Sequence, residues 1–292
     1  MKLSIIIVSW NVAEKLKENL KAIYCSDLEK SNFEVFVVDN NSADNTVSII
    51  KKEFPQVKLI ANSENLGFAK ANNQAIKQVK GEYVLLLNPD MRVKKNTFKN
   101  TLKWADENPQ ATVVGCKLVN EKGEIVKHVR KFPKIWDQLA IVLKIPHIFP
   151  NVLNKYLRND FNYEKSAKVN SIRGGFFLIR NNITVETRLI AHPELDERYF
   201  LWFEEVDFCR QIKKSGKEVW YTPVAECVDY VGQSFKQVGV LKKQKYFRDS
   251  QLKYFKKWHP SWQYYLLKIA WIFGMFISFI LEKINFKSNA KT

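Results

Sequence analysis

The chain has 292 residues, enough for one large domain or a domain with an appendage, and 46% hydrophobic with 13% aromatic residues exclude a disordered chain, as 10 Gly and 9 Pro exclude a collagen-like or linker-rich one. With 47 Lys and Arg against 30 Asp and Glu the net charge is +17, which calls for a polyanionic partner or surface: nucleic acid, a phosphorylated substrate or anionic lipid headgroups. Four cysteines, Cys25, Cys116, Cys209 and Cys227, form no Cys-x-x-Cys pair and have no histidines at zinc-site spacing, so neither structural zinc nor a disulfide framework is expected, and a reducing cytoplasm is.

The amino terminus opens on Met1-Lys2 and an apolar run through Val8, too short for a signal peptide and without a small-residue cleavage site; it reads as a buried strand. Four nearly continuous apolar runs, at 3–8, 33–38, 57–61 and 83–87, alternate with helical patterns at about 13–24, 46–54, 69–79 and 95–107. Such alternation predicts βαβ units and a mostly parallel sheet covered on both faces. After Val113 it breaks down. A stretch at about 128–168, mixing aromatic and basic residues without periodicity, is expected to be a long loop covering a substrate. A strand pair is predicted at 168–172 and 176–179 around Gly174-Gly175, then a helix at 204–215 stopped by Gly216, and a strand at 218–221.

The last fifty residues change character. Lys242, Lys243, Lys245, Arg248, Lys253, Lys256 and Lys257 precede Trp262, Tyr264 and Tyr265, and a charge-free apolar run follows at 269–281. The run is short of the roughly 20 residues that cross a bilayer. A basic belt before an aromatic, apolar helix is the composition of a membrane-surface anchor, and lying in the interface is favoured over a single span. The other reading is a helix packed on the domain's own surface.

In open parallel sheets ligands bind beyond the carboxyl ends of the strands, and there the chain places Ser9-Trp10-Asn11, the run from Asp39 to Asp44, the run from Asn62 to Gly67, and Asn88-Pro89-Asp90. Each alone is ordinary turn chemistry, and Asp44 reads as a helix cap. Four converging on one sheet edge mark a binding site.

The strings VDNNSADNT, NLGFAKANNQAI, LLNPD and LDERYFLWFEEVDFCRQIKKSG, in that order, resemble the successive motifs of family 2 glycosyltransferases over roughly residues 3–235. The chain most resembles rhamnosyltransferase-type enzymes of bacterial cell-surface polysaccharide assembly, where Asn-Pro-Asp stands for the more general Asp-x-Asp. The resemblance implies a Rossmann-like GT-A fold of α/β class, a nucleotide-diphosphate sugar donor (dTDP or UDP), a divalent metal (Mg or Mn) and transfer of a hexose, rhamnose among the candidates, with inversion at the anomeric centre. It divides the chain into a catalytic domain at 1–240 and a membrane-associating helical segment at 241–292. The implied partners are a polyprenyl-linked or saccharide acceptor and the anionic inner face of the cell membrane, on which a cytoplasmic enzyme would sit peripherally.

Carried over residue by residue, the resemblance puts Asp39 against the nucleobase, where an acceptor-only carboxylate suits an imide N–H, with Ser9 lining the same pocket. Asn65, Gly67 and Lys70 fall on the family's Asn-x-Gly segment near the diphosphate, Lys70 offering charge-assisted contacts. Asp90 takes the metal-ligating position, while Asn88 replaces the first aspartate of that motif and loses one anionic ligand. An inverting transfer needs one base opposite the leaving group. The acidic pair falls on Glu204-Glu205, with Glu205 assigned as base, although the family usually has aspartate there, and Glu204 as runner-up; Asp207 orients the helix. The aromatics around them, Trp202 included, suit sugar ring faces. Gly174-Gly175 would let an acceptor approach closely. Asp229 stands where the family often has histidine. Two other functions remain on the table: a degenerate transferase that only binds nucleotide sugar, and a basic nucleic-acid-binding protein. The charge suits the latter, but no zinc-finger spacing or RNP-like string supports it, and no nucleic acid is expected as partner.

Overall fold

The computed structural model describes residues 1–181, 183–185, 188–190, 193–230 and 237–289. Its first half follows the apolar periodicity closely: β1 (Leu3–Ser9), α1 (Ala13–Tyr24), β2 (Phe33–Asp39), α2 (Thr46–Glu53), β3 (Lys58–Ala61), α3 (Phe68–Ile76) and β4 (Tyr83–Leu87). Alternate strand residues feed two separate cores, as a pleat with period two requires. Leu3, Ile5 and Ile7 pack with Val35, Leu85 and the buried faces of α1 and α2, while Ile6, Phe36, Val38, Val84 and Leu86 pack with α3.

The second half runs β5 (Met91–Val93), α4 (Thr97–Glu107), β6 (Ala111–Val119), β7 (Val129–Arg130), α5 (Ile135–Val142), α6 (Asn154–Leu157), β8 (Ala167–Lys168), β9 (Ser171–Ile172), β10 (Phe176–Arg180), β11 (Ile183–Val185), β12 (Arg188–Ile190), α7 (Glu204–Lys214), β13 (Glu218–Asp229), α8 (Val240–Trp258) and α9 (Ser261–Asn289). The main sheet has the order β3-β2-β1-β4-β10-β6-β13-β5, with β8 also on β13. Pairings among β1, β2, β3 and β4 and between β6 and β13 are parallel, whereas β10 runs antiparallel to both β4 and β6.

Several expectations are corrected here. The runs at 168–172 and 176–179 do not pair with each other: β8 joins β13, β9 joins β7, and β10 inserts into the centre of the sheet. An apolar run shows burial but carries no information on direction or partner. The last strand continues past Tyr221 to Asp229, through a register shift opposite β6 between Thr222 and Glu226, and the short β5 pairs with its end. The 128–168 stretch, expected as a loop, contains α5 and α6.

At the carboxyl end α8 and α9 share a third core with α5 and the approach to α7: Ile135, Val142, Tyr199, Phe203, Tyr254, Phe255, Leu267, Ala270 and Trp271. Each fully buried large apolar side chain there stabilises by about 1.5–3 kcal/mol. Contact is close at Gly274, where an added Cβ would lie 2.6 Å from the Val142 carbonyl oxygen. The packed-helix reading therefore holds for one face of α9. Its other face carries Trp262, Tyr265, Ile269, Ile272, Phe273 and Phe276, each more than half exposed. The side chains of 278–281, the end of the apolar run, lie outside the described residues. Among the described residues no helix is long and apolar enough to cross a membrane.

Candidate active site

The loops after β1, β2 and β3 are built by short polar side chains that bond to one another's backbones. The Asn11 Oδ1 accepts the Ala43 N–H at 2.7 Å, and the Asn11 N–H is donated to the Ser42 hydroxyl at 2.9 Å. Asp44 accepts from the Ala13 N–H at 3.0 Å and the Thr46 N–H at 3.1 Å, holding the starts of α1 and α2 as a cap should. Asn65 accepts the Gly67 N–H at 2.9 Å, making the turn into α3, and Asn40 donates to the Gly67 carbonyl at 3.0 Å. Gly67 has φ +81°, and a Cβ there would meet the Phe200 carbonyl oxygen at 2.4 Å, so glycine is required twice over. Ser9 and Asp39 are partners across the β1–β2 ladder. Asp39 is 2% exposed and receives the Ser42 N–H on Oδ2 at 3.0 Å, but its Oδ1 and the Ser9 hydroxyl are buried without a protein partner. Such orphans cost free energy unless a ligand satisfies them.

Opposite this wall stands the start of α7. The chain enters it through Trp202 (φ +63°) and Phe203 (φ +70°), two successive bulky residues in the left-handed region. Strain of this kind costs on the order of 1–3 kcal/mol per residue and persists where surrounding contacts impose it. Here they do. Asp207, fully buried, accepts from Gln211 at 2.6 Å, Lys257 at 2.7 Å, Trp258 Nε1 at 2.5 Å and Tyr199 at 3.3 Å, which ties α7 to the end of α8. Lys257 also reaches Asp196 at 2.9 Å. Arg198 and Lys257 beside Asp196 hold its carboxyl far below the usual range.

Glu204 and Glu205 follow at the helix N-terminus, and each has one carboxylate oxygen buried without a partner. Burial pushes both carboxyls up; for Glu204 the neighbouring Glu205 charge adds to the rise, while for Glu205 its own main-chain N–H, the Arg173 charge and the Gly174 N–H pull back part of it. Two adjacent buried carboxyls pushed up by desolvation, each with an unpartnered oxygen, are the arrangement that makes a proton acceptor.

Both walls face one cavity of about 550 Å³, within the usual size of small-molecule sites. Of the residues singled out from the sequence, Ser9, Asn65, Gly67, Asn88, Asp90, Gly174, Trp202, Glu204 and Glu205 line it. Asp39 stands beside Ser9 on the neighbouring strand and is not on the lining. Lys70 is exposed on α3 and not on the lining, and Gly175 stands behind, its carbonyl receiving the Asn88 N–H at 3.0 Å. A Cβ on Gly174 or Gly175 would make only ordinary contacts, so packing does not demand glycine at either. Phe200, one of the aromatics expected around the acidic pair, is on the lining too; sequence reasoning missed Arg173 and, from α8, Lys242 and Tyr246, also on the lining, where the Phe200 and Tyr246 rings stack at 4.6 Å. No local pattern marks them, because α8 returns to the site from forty residues further along.

Among the described residues no three His, Cys, Asp or Glu side chains converge on a metal position. Magnesium and manganese at nucleotides need less, one or two carboxylates completed by phosphate oxygens and water. Asp90, 4% exposed on the cavity wall, supplies that carboxylate, and Asn88 an amide beside it, so the donor set fits a nucleotide-borne hard cation.

Comparison with known proteins gives the same picture. The model of glycosyl transferase family 2 matches residues 4–182. The poly(ribitol-phosphate) beta-N-acetylglucosaminyltransferase TarS of Staphylococcus aureus is 32% identical over 127 residues, covering 42% of this chain but 22% of TarS, so the chain spans about a fifth of that relative. The N-acetylglucosaminyl-diphospho-decaprenol L-rhamnosyltransferase of Mycobacterium tuberculosis is 25% identical over 211 residues, 68% of this chain and 67% of that one. Among solved structures, the mannosyltransferase PcManGT from Pyrobaculum calidifontis in complex with GDP-Man and Mn2+ superposes with a TM-score of 0.56 at 20% identity, covering 93% of this chain and 69% of that one. At that identity the likeness establishes the fold, which is GT-A.

Proposed function

Because this chain belongs to glycosyl transferase family 2, we propose that it is an inverting hexosyltransferase, moving a sugar such as rhamnose from a dTDP- or UDP-linked donor onto a polyprenyl-linked or saccharide acceptor in cell-surface polysaccharide synthesis. The observation that carries this reading is the cavity itself: one lining brings together the orphaned Ser9 hydroxyl, beside which the orphaned Asp39 oxygen lies on the next strand, Asp90, and the carboxyl pair Glu204-Glu205. The first group suits a nucleobase and ribose, since a carboxylate acceptor matches an imide N–H. Asn65 and Gly67 shape the turn over the donor, and Asn88 orients a sugar hydroxyl.

In the proposed reaction Glu205 takes the proton of the acceptor hydroxyl as that oxygen bonds to the anomeric carbon, while the bond from that carbon to the diphosphate breaks on the opposite face. Glu204, its buried neighbour, is the alternative base. Trp202 and Gly174 line the acceptor side. A magnesium or manganese ion, held by Asp90 and the diphosphate, would neutralise charge developing on the leaving group.

In this reading residues 1–240 carry the donor-binding residues and the carboxyl pair, and 241–292 form a membrane-associating segment that also lends Lys242 and Tyr246 to the cavity and Lys257 and Trp258 to Asp207. What supports it is the exposed row Trp262, Tyr265, Ile269, Ile272, Phe273 and Phe276 on α9 together with exposed lysines 242, 245, 253 and 256 on α8. An apolar aromatic face flanked by cations suits the anionic inner face of a bilayer, and docking there would bring the cavity to a lipid-linked acceptor. The test of function is incubation with dTDP-rhamnose and UDP-sugars plus a lipid-diphosphate or saccharide acceptor: release of nucleoside diphosphate with an inverted product anomer by NMR supports it, and its absence in folded protein across the panel overturns it. Co-sedimentation with phosphatidylglycerol vesicles but not phosphatidylcholine vesicles, lost in Phe273→Ser/Phe276→Ser, tests the docking; equal behaviour on both vesicles refutes it.

A further inference from the structure

The cavity is built with more negative than positive charge, an unfavourable place for an anionic donor. Asp90, Glu204, Glu205 and Asp229 line it, against Arg173 and Lys242. Lys242 stands exposed on α8, its ammonium 5.9 Å from the centre of the Tyr246 ring. Arg173 is placed differently. It leaves the end of β9 with its N–H bonded to the His128 carbonyl at 3.1 Å, and its guanidinium lies in the fields of Asp90 and Glu205. That guanidinium is paired with the Asp229 carboxylate, which is only 4% exposed.

Topology fixes what this pair stands over. Asp229 ends β13 directly across from Met91 of β5, and the next residue, Tyr230, donates its N–H to the Asp90 carbonyl at 3.1 Å. Arg173 therefore sits at the junction of the turn after β4 and the end of β13, on the cavity lining and within the electrostatic reach of both Asp90 and Glu205. A sugar nucleotide spanning the cavity puts its diphosphate there. A guanidinium has five N–H donors in a planar fork that matches phosphate oxygens two at a time, and one carboxylate does not exhaust them.

We infer that Arg173 binds the donor diphosphate and that Asp229 is its resting partner, exchanged for phosphate oxygens when the donor enters. The inference rests on reading the cavity as a nucleotide-sugar site. It gives the cavity the fixed cation that Lys70 does not supply there, and it makes Asp229 a positioning residue that competes with the ligand for Arg173.

The test is calorimetric titration in EDTA, so that no metal contributes, using UDP, dTDP and GDP, each beside its own nucleoside. For the nucleotide that binds, Arg173→Gln is expected to lose about tenfold or more in diphosphate affinity, the size of a lost charge-assisted hydrogen bond, with nucleoside affinity unchanged. Arg173→Lys, which keeps the charge without the fork, should fall between and serves as the variant if Arg173→Gln melts early. Asp229→Asn should tighten diphosphate binding by a few fold. Parallel loss of nucleoside and diphosphate affinity in folded Arg173→Gln, unchanged diphosphate affinity, or weaker binding in Asp229→Asn overturns the inference alone. No nucleotide binding to folded wild-type protein overturns the proposed function, and the inference with it.

Discussion

The two walls of the cavity are made in different ways. The wall after β1, β2 and β3 is local: Asn11, Asn40, Ser42, Asp44 and Asn65 close turns and tie the three loops to one another, and these bonds need nothing from beyond residue 70. The wall carrying Glu204 and Glu205 is imposed from a distance, by Lys257 and Trp258 on Asp207 and by the aromatic core beneath Phe203. A locally built wall can be rigid before the rest of the fold forms. A wall held in left-handed strain from another helix is only as good as its tethers, and it is the one to which chemistry is assigned here.

The sharpest way to separate the walls is Glu205→Gln, which preserves shape and removes the proton acceptor. It should lower kcat by about 10²- to 10⁴-fold while the donor KM stays within a factor of about two, measured by steady-state kinetics. Full activity in Glu205→Gln with loss in Glu204→Gln would reverse the assignment within the pair. Next comes the tether. Lys257→Met leaves buried Asp207 short of a cationic partner and should cost about 3 kcal/mol of stability, read from denaturant melts, together with a fall in kcat larger than any change in nucleotide affinity. A stable variant with normal kcat would show that the α8 tether is not what holds the catalytic wall.

On the local wall, Asp39→Asn keeps the turn's geometry and removes the charge that the proposed function sets against the base. Donor affinity should drop by about 10- to 100-fold, a charge-assisted hydrogen bond's worth, with kcat at saturating donor nearly intact. The pH dependence leaves both walls' chemistry aside and reads stability alone, where two buried groups act with opposite sign. Burial lowers His128 from 6.5 to about 4, so below pH 6.5 the unfolded chain takes up a proton that the native one refuses, and stability is lost as pH falls toward 4. Burial raises Glu204, so its contribution is full below the ordinary carboxylate value and is lost as pH rises through the raised one. His128→Asn should flatten the acid limb of a melting-temperature profile by up to about 1.4 kcal/mol per pH unit, and Glu204→Gln the other limb.

The same contrast explains what was legible in the sequence. Strands, helices and the binding edge of the first ninety residues could be read because hydrophobic period and turn residues are local signals, and Ser9, Asn65, Asn88 and Asp90 reach the cavity as the motifs suggested. Lys70 shows the limit: its motif neighbours turn inward while its own side chain faces solvent. The insertion of β10 between β4 and β6, the pairing of β5 with β13, and the placing of Arg173 and Tyr246 at the site all depend on partners fifty to a hundred and fifty residues away. Glu204 and Glu205 were legible as an acidic pair. The strain and the Asp207 tether that position them were not.

The central claim, that this cavity is a nucleotide-sugar site with its catalytic wall held apart from its donor wall, meets its most direct test in titration of the folded protein with UDP, dTDP and GDP and their sugars, with and without manganese. Saturable binding of at least one is expected, strengthened by manganese in the wild type, weakened in Asp39→Asn, no longer strengthened by manganese in Asp90→Asn, and unchanged in Glu205→Gln. No binding to any of them, or binding that Glu205→Gln abolishes and Asp39→Asn leaves intact, would contradict it.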